Sequence, residues 1–312
     1  MKTMDFVTIV FDNDSEYCLL KLQALSYKFI EPSIVNNIVI VFNDNNKLIE
    51  KFNNIFKNDI EHLYPEKLRH LIKIIYLEDL KLNFEYSNWY TQQIVKILIS
   101  KKINTKYYVI LDGKNHFIKD IKYDYFFHLE TNKPIIYYNM QGKELLDFYH
   151  NSLNYFNVTC PNPPNHHINY KIQTITPYTF ITSECLDMIE YIENKENMPF
   201  DKFFIEKKKY TEFYLYFAYL IFKEKQHLYH FKTNLMPVLT IGPQNPNNFE
   251  YNRWDYKLSI LEQNAIYAVA LHRLCIYVLN SEYKENLIKF YKNFFSDKEI
   301  DIFRIFLYSY NL

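Results

Sequence analysis

Glycine is almost missing from this sequence, with three residues in a chain of 312. That scarcity weakens the two glycine-rich phosphate cradles, GxGxxG and GxxxxGK[ST], neither of which occurs, and it excludes collagen-like and glycine-rich architectures. A charge surplus is missing too, because 36 Lys and Arg stand against 36 Asp and Glu. A protein held on nucleic acid by its phosphates normally carries a basic excess, so a constitutive nucleic-acid binder is not expected. Four cysteines, Cys18, Cys160, Cys185 and Cys275, are widely separated and form no CxxC spacing. A chain able to bury a large core has no need of disulfide staples, so reduced thiols are expected. No run of about 18 uncharged apolar residues exists to span a bilayer. The start, MKTMDFVTIVFDNDSE, interrupts its apolar run with acids and lacks a signal-peptide core. A cytoplasmic protein without a transmembrane segment is the expectation, with peripheral contact at the inner face of a membrane left open.

Aromatic residues are abundant, at 30 Tyr, 26 Phe and 2 Trp. They supply ample core for one large domain or two interleaved lobes of about 150 residues each. Over the first third, apolar runs alternate with amphipathic segments, the pattern of strands and helices taking turns in a parallel sheet. Residues 6–11, 38–42, 72–77 and 107–111 read as strands. Residues 16–27, 47–56 and 89–100 carry apolar side chains at helical spacing. After Asp120 the pattern shifts to short strands at 126–130 and 134–139 and helices at 143–155, 183–193 and 211–223. A strand at 265–270 and two helices at 283–294 and 298–307 complete the reading. Segments 160–165 and 242–248, rich in proline and asparagine, are expected as irregular loops. The expected organisation is one lobe over 1–120, a second lobe of the same domain over 121–275 and C-terminal helices over 276–312.

Polar loops at the carboxyl ends of parallel strands place a ligand crevice above Phe11-Asp12, Asn43-Asp44 and Asp112. Asp112 ends an apolar strand and opens Asp112-Gly113-Lys114-Asn115-His116, a set of groups suited to a divalent cation and diphosphate oxygens. A simpler account makes Asp112 a turn cap beside Gly113. Gln92, Gln93 and Lys96 precede that strand on a helix, and Gln92 and Lys96 share a face at i and i+4. A lysine there pairs with a diphosphate, or else the face is simply solvated. Glu212 follows Thr211, a natural N-cap; the helix dipole accounts for an acid in the first turn, and the functional alternative is a carboxylate aimed at an acceptor hydroxyl. His272-Arg273 follows a strand, where a histidine ligates metal or packs in the core and an arginine forks onto phosphate. His166-His167 has no partner spacing and reads as part of a polar loop.

In order along residues 5–275, the blocks VTIVFDND, LLKLQALSY, IVIVFND, NWYTQQIVKILIS, YYVILDGKNHFI, ITPYTF, TEFYLY and VALHR resemble the uncharacterised GT-A-like glycosyltransferases of bacterial capsule and surface-polysaccharide loci. The resemblance implies an α/β GT-A fold with a mostly parallel central sheet, a smaller acceptor-side lobe and C-terminal helices. It implies a nucleotide-sugar donor bound by the half over 1–120, a glycan acceptor on the side of the half over 121–275 and hexosyltransferase-like chemistry. In that family an Asp-x-Asp-type motif binds the donor diphosphate, usually through Mn²⁺ or Mg²⁺. Here Asp112-Gly113-Lys114 stands in its place and lacks the second Asp, so Asn115 or His116 replaces it, or Lys114 neutralises the diphosphate directly. The resemblance further implies His272 as a late metal or diphosphate ligand and Glu212 as the acid beside the acceptor. By the same likeness Thr8, Phe11 and Asp12 lie near the nucleoside, and Gln93 and Lys96 near the donor. Two other readings use the same residues: a nucleotidyl- or phosphotransferase in the same crevice, and a non-catalytic glycan- or protein-binding module of GT-A ancestry.

Overall fold

Valine, isoleucine and phenylalanine at consecutive positions suit strands covered on both faces, and four such runs assemble into the parallel part of a central sheet. The computed structural model describes residues 3–82, 89–140, 143–159, 170–233, 236–242, 266–273 and 279–308. The loop expected at 160–165, with His166, His167 and Cys160, lies outside the described residues, as do Cys275 and the loop after Gly242. Strands β1 (Met4–Val10), β2 (Val35–Phe42), β3 (Ile72–Tyr76) and β4 (Tyr107–Asp112) run parallel in the order β3-β2-β1-β4. The pairing of Ile9 with Asp112 brings the carboxyl ends of β1 and β4 level. Chain order reverses between these two strands, which makes the gap above them the topological switch point of the sheet.

Helix α1 (Asp14–Ser26) leaves the sheet directly after β1, capped by Asn13, whose side chain accepts the Ser15 amide at 2.9 Å. Helix α2 (Ile49–Ile55) and a short turn, α3 (Glu66–Arg69), cross between β2 and β3. Helix α4 (Trp89–Leu98) buries Ile94, Val95, Ile97 and Leu98 and leads into β4. Residues 115–117, expected as loop, instead form strand β5 (Asn115–Phe117). All three of its side chains are buried, so this segment belongs to the core and not to the rim.

A helical turn, α5 (Tyr123–Phe126), and strands β6 (Phe127–His128) and β7 (Lys133–Met140) follow, then helix α6 (Lys143–Phe156) and strand β8 (Tyr170–Ile172). Strand β9 (Tyr178–Ile181), unmarked in the sequence reading, adds to β4 antiparallel and closes that edge of the central sheet. Helices α7 (Thr182–Glu196), α8 (Phe200–Lys207) and α9 (Glu212–Phe222) follow and pack on one another and on α4, and α8 too was unmarked. Helix α9 is apolar nearly all round, and Phe213 to Leu220 are all buried, as expected of a helix enclosed by others. Strand β10 (His230–Lys232) joins β7 in a second sheet, while β12 (Ala268–Leu271) lies between β11 (Val238–Ile241) and β5 in a third. Helices α10 (Ser281–Tyr291) and α11 (Asp297–Tyr308) end the described chain.

One hydrophobic core runs through the central sheet from Met4 to Ala270. A second forms where Leu19, Leu22 and Leu25 on the outer side of α1 meet Val269, Leu271 and the apolar faces of α10 and α11. The C-terminal helices are thus held against the helix that opens at the switch point. Among the described residues no helix is long and apolar enough to cross a membrane.

Candidate functional site

The switch point opens into a cleft of about 350 Å³ lined by Phe11 and Glu16 after β1, by Asp112, Gly113 and Lys114 after β4, and by His272 and Arg273 after β12. Helix α4 contributes Trp89, Gln92, Gln93 and Lys96, and the start of α9 contributes Thr211, Glu212 and Phe213. Residues more than 150 positions apart in the chain therefore share one cavity. Thr211 caps α9, its hydroxyl accepting the Tyr214 amide, and this fixes Glu212 at the cleft wall.

Lysine 96 ties the site together. Its ammonium lies 3.0 Å from Asp112 Oδ1 and 2.9 Å from Glu212 Oε1, while Lys96 is 3% and Glu212 1% exposed. Burial alone lowers a lysine's pKa, but the two carboxylates overrule it and hold Lys96 charged, above the usual lysine range. Burial likewise opposes ionisation of Asp112, yet Lys96 and Lys114 keep its pKa well below the carboxylate range. Burial raises Glu212, against the pull of Lys96. The Gln93 amide, with its nitrogen turned to the carboxylate, donates to Glu212 Oε1 at 3.1 Å.

The strand end itself is pinned from below. Gln23, buried on α1, donates to the backbone oxygens of Asp112 and Asn115 at 2.9 Å each and accepts from the Thr8 hydroxyl at 2.8 Å. Asn115 accepts the Asp112 amide at 2.7 Å, and Thr176 donates to Asp112 Oδ2 at 3.1 Å. At Gly113 a Cβ would stand 3.1 Å from Glu16 Oε2, so the missing side chain lets that carboxylate approach the strand end. Glu16 meets Arg273 at 3.5 Å, and the guanidinium lies 4.9 Å from the Phe11 ring centre.

The structure gathers Phe11, Gln93, Lys96, Asp112, Lys114, Glu212, His272 and Arg273 around the cleft. Four other expected residues lie elsewhere. Thr8 is buried beneath the site and bonded to Gln23. Asp12 accepts from Tyr17 at 2.6 Å and pairs with Lys51 at 2.8 Å, outside the cleft lining. Asn115 spends its amide on Asp112 and Thr176. His116 sits on β5 and points at Tyr291 of α10, its Nε2 against that hydroxyl and its Nδ1 toward the Lys114 carbonyl. Burial lowers its pKa to about 3, and it is a neutral core histidine away from the cleft. The expectation of 115–116 as rim ligands fails because strand pairing turns the segment inward.

Glu16, Gln23, Thr176 and Trp89 were missed. Glu16 had a signal, an acid in the first turn of the helix that follows the switch-point strand. Trp89 had another, as one of two tryptophans and 46% exposed at the rim.

The residues present do not fit a Mn²⁺ or Mg²⁺ site. Hard divalent cations want several free oxygen ligands. Among the described residues no group of three or more His, Cys, Asp or Glu is arranged to hold a metal ion. Both oxygens of Asp112 face a lysine ammonium, at 3.0 and 3.1 Å. His272, which burial, Lys114 and Arg273 lower to about 4, stands among cations.

Glu16 makes stability respond to pH. Burial raises its pKa from 4.5 to about 7, with Arg273 opposing. The folded state therefore holds this proton more tightly than the unfolded chain, and its contribution is complete below pH 4.5 and lost as pH rises through 7. Glu16→Gln is expected to gain up to about 3 kcal/mol over the parent at pH 8 relative to the difference at pH 4.5. Urea unfolding at both pH values measures this, and an unchanged difference refutes it.

The fold and site thus define an α/β protein whose switch-point cleft, among the described residues, carries three cations and three carboxylates. The chain belongs to DUF6492, a family of unknown function, whose model matches residues 9–269. No curated protein matches it. In overall structure it is similar to mouse xyloside xylosyltransferase 1, at 11% identity and TM-score 0.45, over 86% of this chain and 97% of that one. It is similar to the galactosyltransferase LgtC with donor and acceptor sugar analogues, at 10% identity and TM-score 0.42, over 76% of each chain. It is also similar to 4-diphosphocytidyl-2C-methyl-D-erythritol synthase from Anaerococcus prevotii, at 12% identity and TM-score 0.40, over 75% of this chain and 90% of that one.

Proposed function

We propose that the chain is a GT-A-type glycosyltransferase that moves a sugar from a nucleotide-activated donor to a hydroxyl of a surface or capsular glycan, working in the cytoplasm at the inner face of the membrane. One observation carries the reading: a cleft at the sheet's switch point lined by Lys114 paired with Asp112, Arg273 paired with Glu16, the carboxylate of Glu212 and the aromatic rings of Phe11 and Trp89. Cations suit a diphosphate, and flat apolar rings suit a nucleobase or sugar. In the transfer the bond from the anomeric carbon to the diphosphate oxygen breaks while the acceptor oxygen bonds to that carbon. Charge then grows on the departing diphosphate, where Lys114 and Arg273 stabilise it. Glu212, fixed by Lys96 and Gln93, contacts the acceptor hydroxyl and takes its proton where the reaction inverts the anomeric centre.

A thermal-shift series with nucleotides and nucleotide sugars tests this. Ligand at about 100 times its Kd stabilises the native state by about 2.7 kcal/mol, so one donor should raise the melting point by roughly 4 °C. Turnover of that donor should release a nucleoside diphosphate. Release of pyrophosphate would instead mark a nucleotidyltransferase, and no shift with any nucleotide would refute the reading.

A further inference from the structure

We propose that this cleft grips its donor diphosphate directly through Lys114 and Arg273, with no divalent cation between them, and that Asp112 serves to hold two lysines in place. The inference rests on the nucleotide-sugar reading above and concerns how that ligand is held.

Asp112 is the carboxylate that a metal would use, and each of its oxygens already faces an ammonium group. Lys96 approaches one oxygen from α4, Lys114 approaches the other from the loop after β4, and Thr176 donates to the second oxygen from beside β9. A cation entering here would have to displace Lys96, which is 3% exposed, or sit beside the two ammonium groups already on Asp112. Like charges packed that closely in a poorly solvated setting repel strongly. Two residues expected to complete a coordination shell are committed elsewhere. Asn115 bonds backbone and Thr176, and His116 faces Tyr291 on the far side of the strand.

Lys114 and Arg273 are differently placed. Their side chains are 30% and 37% exposed and stand at the cleft mouth. Each is paired with one partly covered carboxylate, Lys114 with Asp112 and Arg273 with Glu16 across 3.5 Å. The Arg273 pair, at 3.5 Å, is open to exchange for a doubly charged phosphate, and the planar guanidinium can then fork onto two of its oxygens. Lys96 stays behind as a fixed charge, keeping Asp112 ionised and aligned, and the Lys114 ammonium turns another of its three donors onto the ligand while Asp112 holds it. Without a metal, Asp112 is negative charge near an anion, so its removal should not weaken binding. This sign separates a positioning carboxylate from a metal ligand.

Isothermal titration of UDP, GDP, CDP, ADP and inorganic pyrophosphate, in excess EDTA and again in MnCl2, decides the matter. At least one nucleoside diphosphate should bind in EDTA within about threefold of its affinity in Mn²⁺, and Lys114→Gln and Arg273→Gln should each weaken it about tenfold or more. Lys114→Arg, which keeps the charge, should retain binding, and Asp112→Asn should bind in EDTA as tightly as the parent or more so. Circular dichroism melts of each variant show whether a loss reflects the contact or the fold. Affinity at least about tenfold higher in Mn²⁺ and abolished by Asp112→Asn overturns the metal-free grip and leaves the glycosyltransferase reading intact. Absence of binding by every probe under both conditions overturns both.

Discussion

Asp112→Ala is expected to lower sugar transfer by at least about a hundredfold while unfolding stays cooperative. The carboxylate sets the positions of two lysines, one on each oxygen, and Thr176 locks its rotamer. Without it, Lys114 loses its anchor at the cleft mouth and the departing diphosphate loses a pre-positioned charge. Preorganised charge of this kind typically supplies about 3 to 4 kcal/mol of transition-state stabilisation. Folding survives because Lys96 keeps Glu212, and because the strand end is held independently by Gln23 and Asn115 through backbone groups. Steady-state kinetics with the donor found by thermal shift would show the loss in kcat more than in KM. Transfer at the parental rate would remove Asp112 from the site.

Lys96→Met should have the largest effect on stability, at about 3 to 5 kcal/mol of destabilisation, together with loss of transfer. Methionine fills a similar volume and keeps the packing against Phe213, whose ring centre lies 5.2 Å from the ammonium. The charge is what goes, leaving Asp112 and Glu212 as carboxylates in a buried setting with no cation between them. The pKa of Glu212 should then rise further, since burial already raises it and the opposing charge is gone. The double variant Lys96→Met/Glu212→Gln should recover much of the stability without recovering transfer, because the uncompensated charge is removed along with its partner. Equal destabilisation in the single and double variants would show that Lys96 acts through packing alone. Urea denaturation of the three proteins measures the difference.

Much of the site was legible before any coordinates. Asp112 ends an apolar strand, Lys96 lies on the helix before it, Glu212 begins a capped helix and His272-Arg273 follows a late strand. Each signal is local, a change of periodicity beside a polar residue, and local signals survive in a sequence. The pairing of Lys96 with both Asp112 and Glu212 was not legible, because the contact to Glu212 spans 116 positions and nothing in either segment names its partner. The same limit explains the misplacement of Asn115 and His116. Read alone, Asp-Gly-Lys-Asn-His looks like a loop, and only pairing with β12 makes its second half a buried strand. Gln23 was invisible for a related reason, since a glutamine on a helix face signals nothing until a strand end is placed against it.

By itself the sequence determined the alternation of strand and helix, the parallel sheet built from apolar runs, and the exclusion of glycine-rich phosphate cradles. Those properties depend on which side chains sit next to one another in the chain. The tertiary structure alone decided which charged residues meet and which are spent on the scaffold. It turned Asp112 into the hub of two lysines, buried Lys96 between two acids, and sent His116 into the core behind the site. The physical reason is desolvation: a charged group is stable in the interior only with a partner, and the partner is chosen by how helices and sheets pack, over distances that local sequence cannot encode.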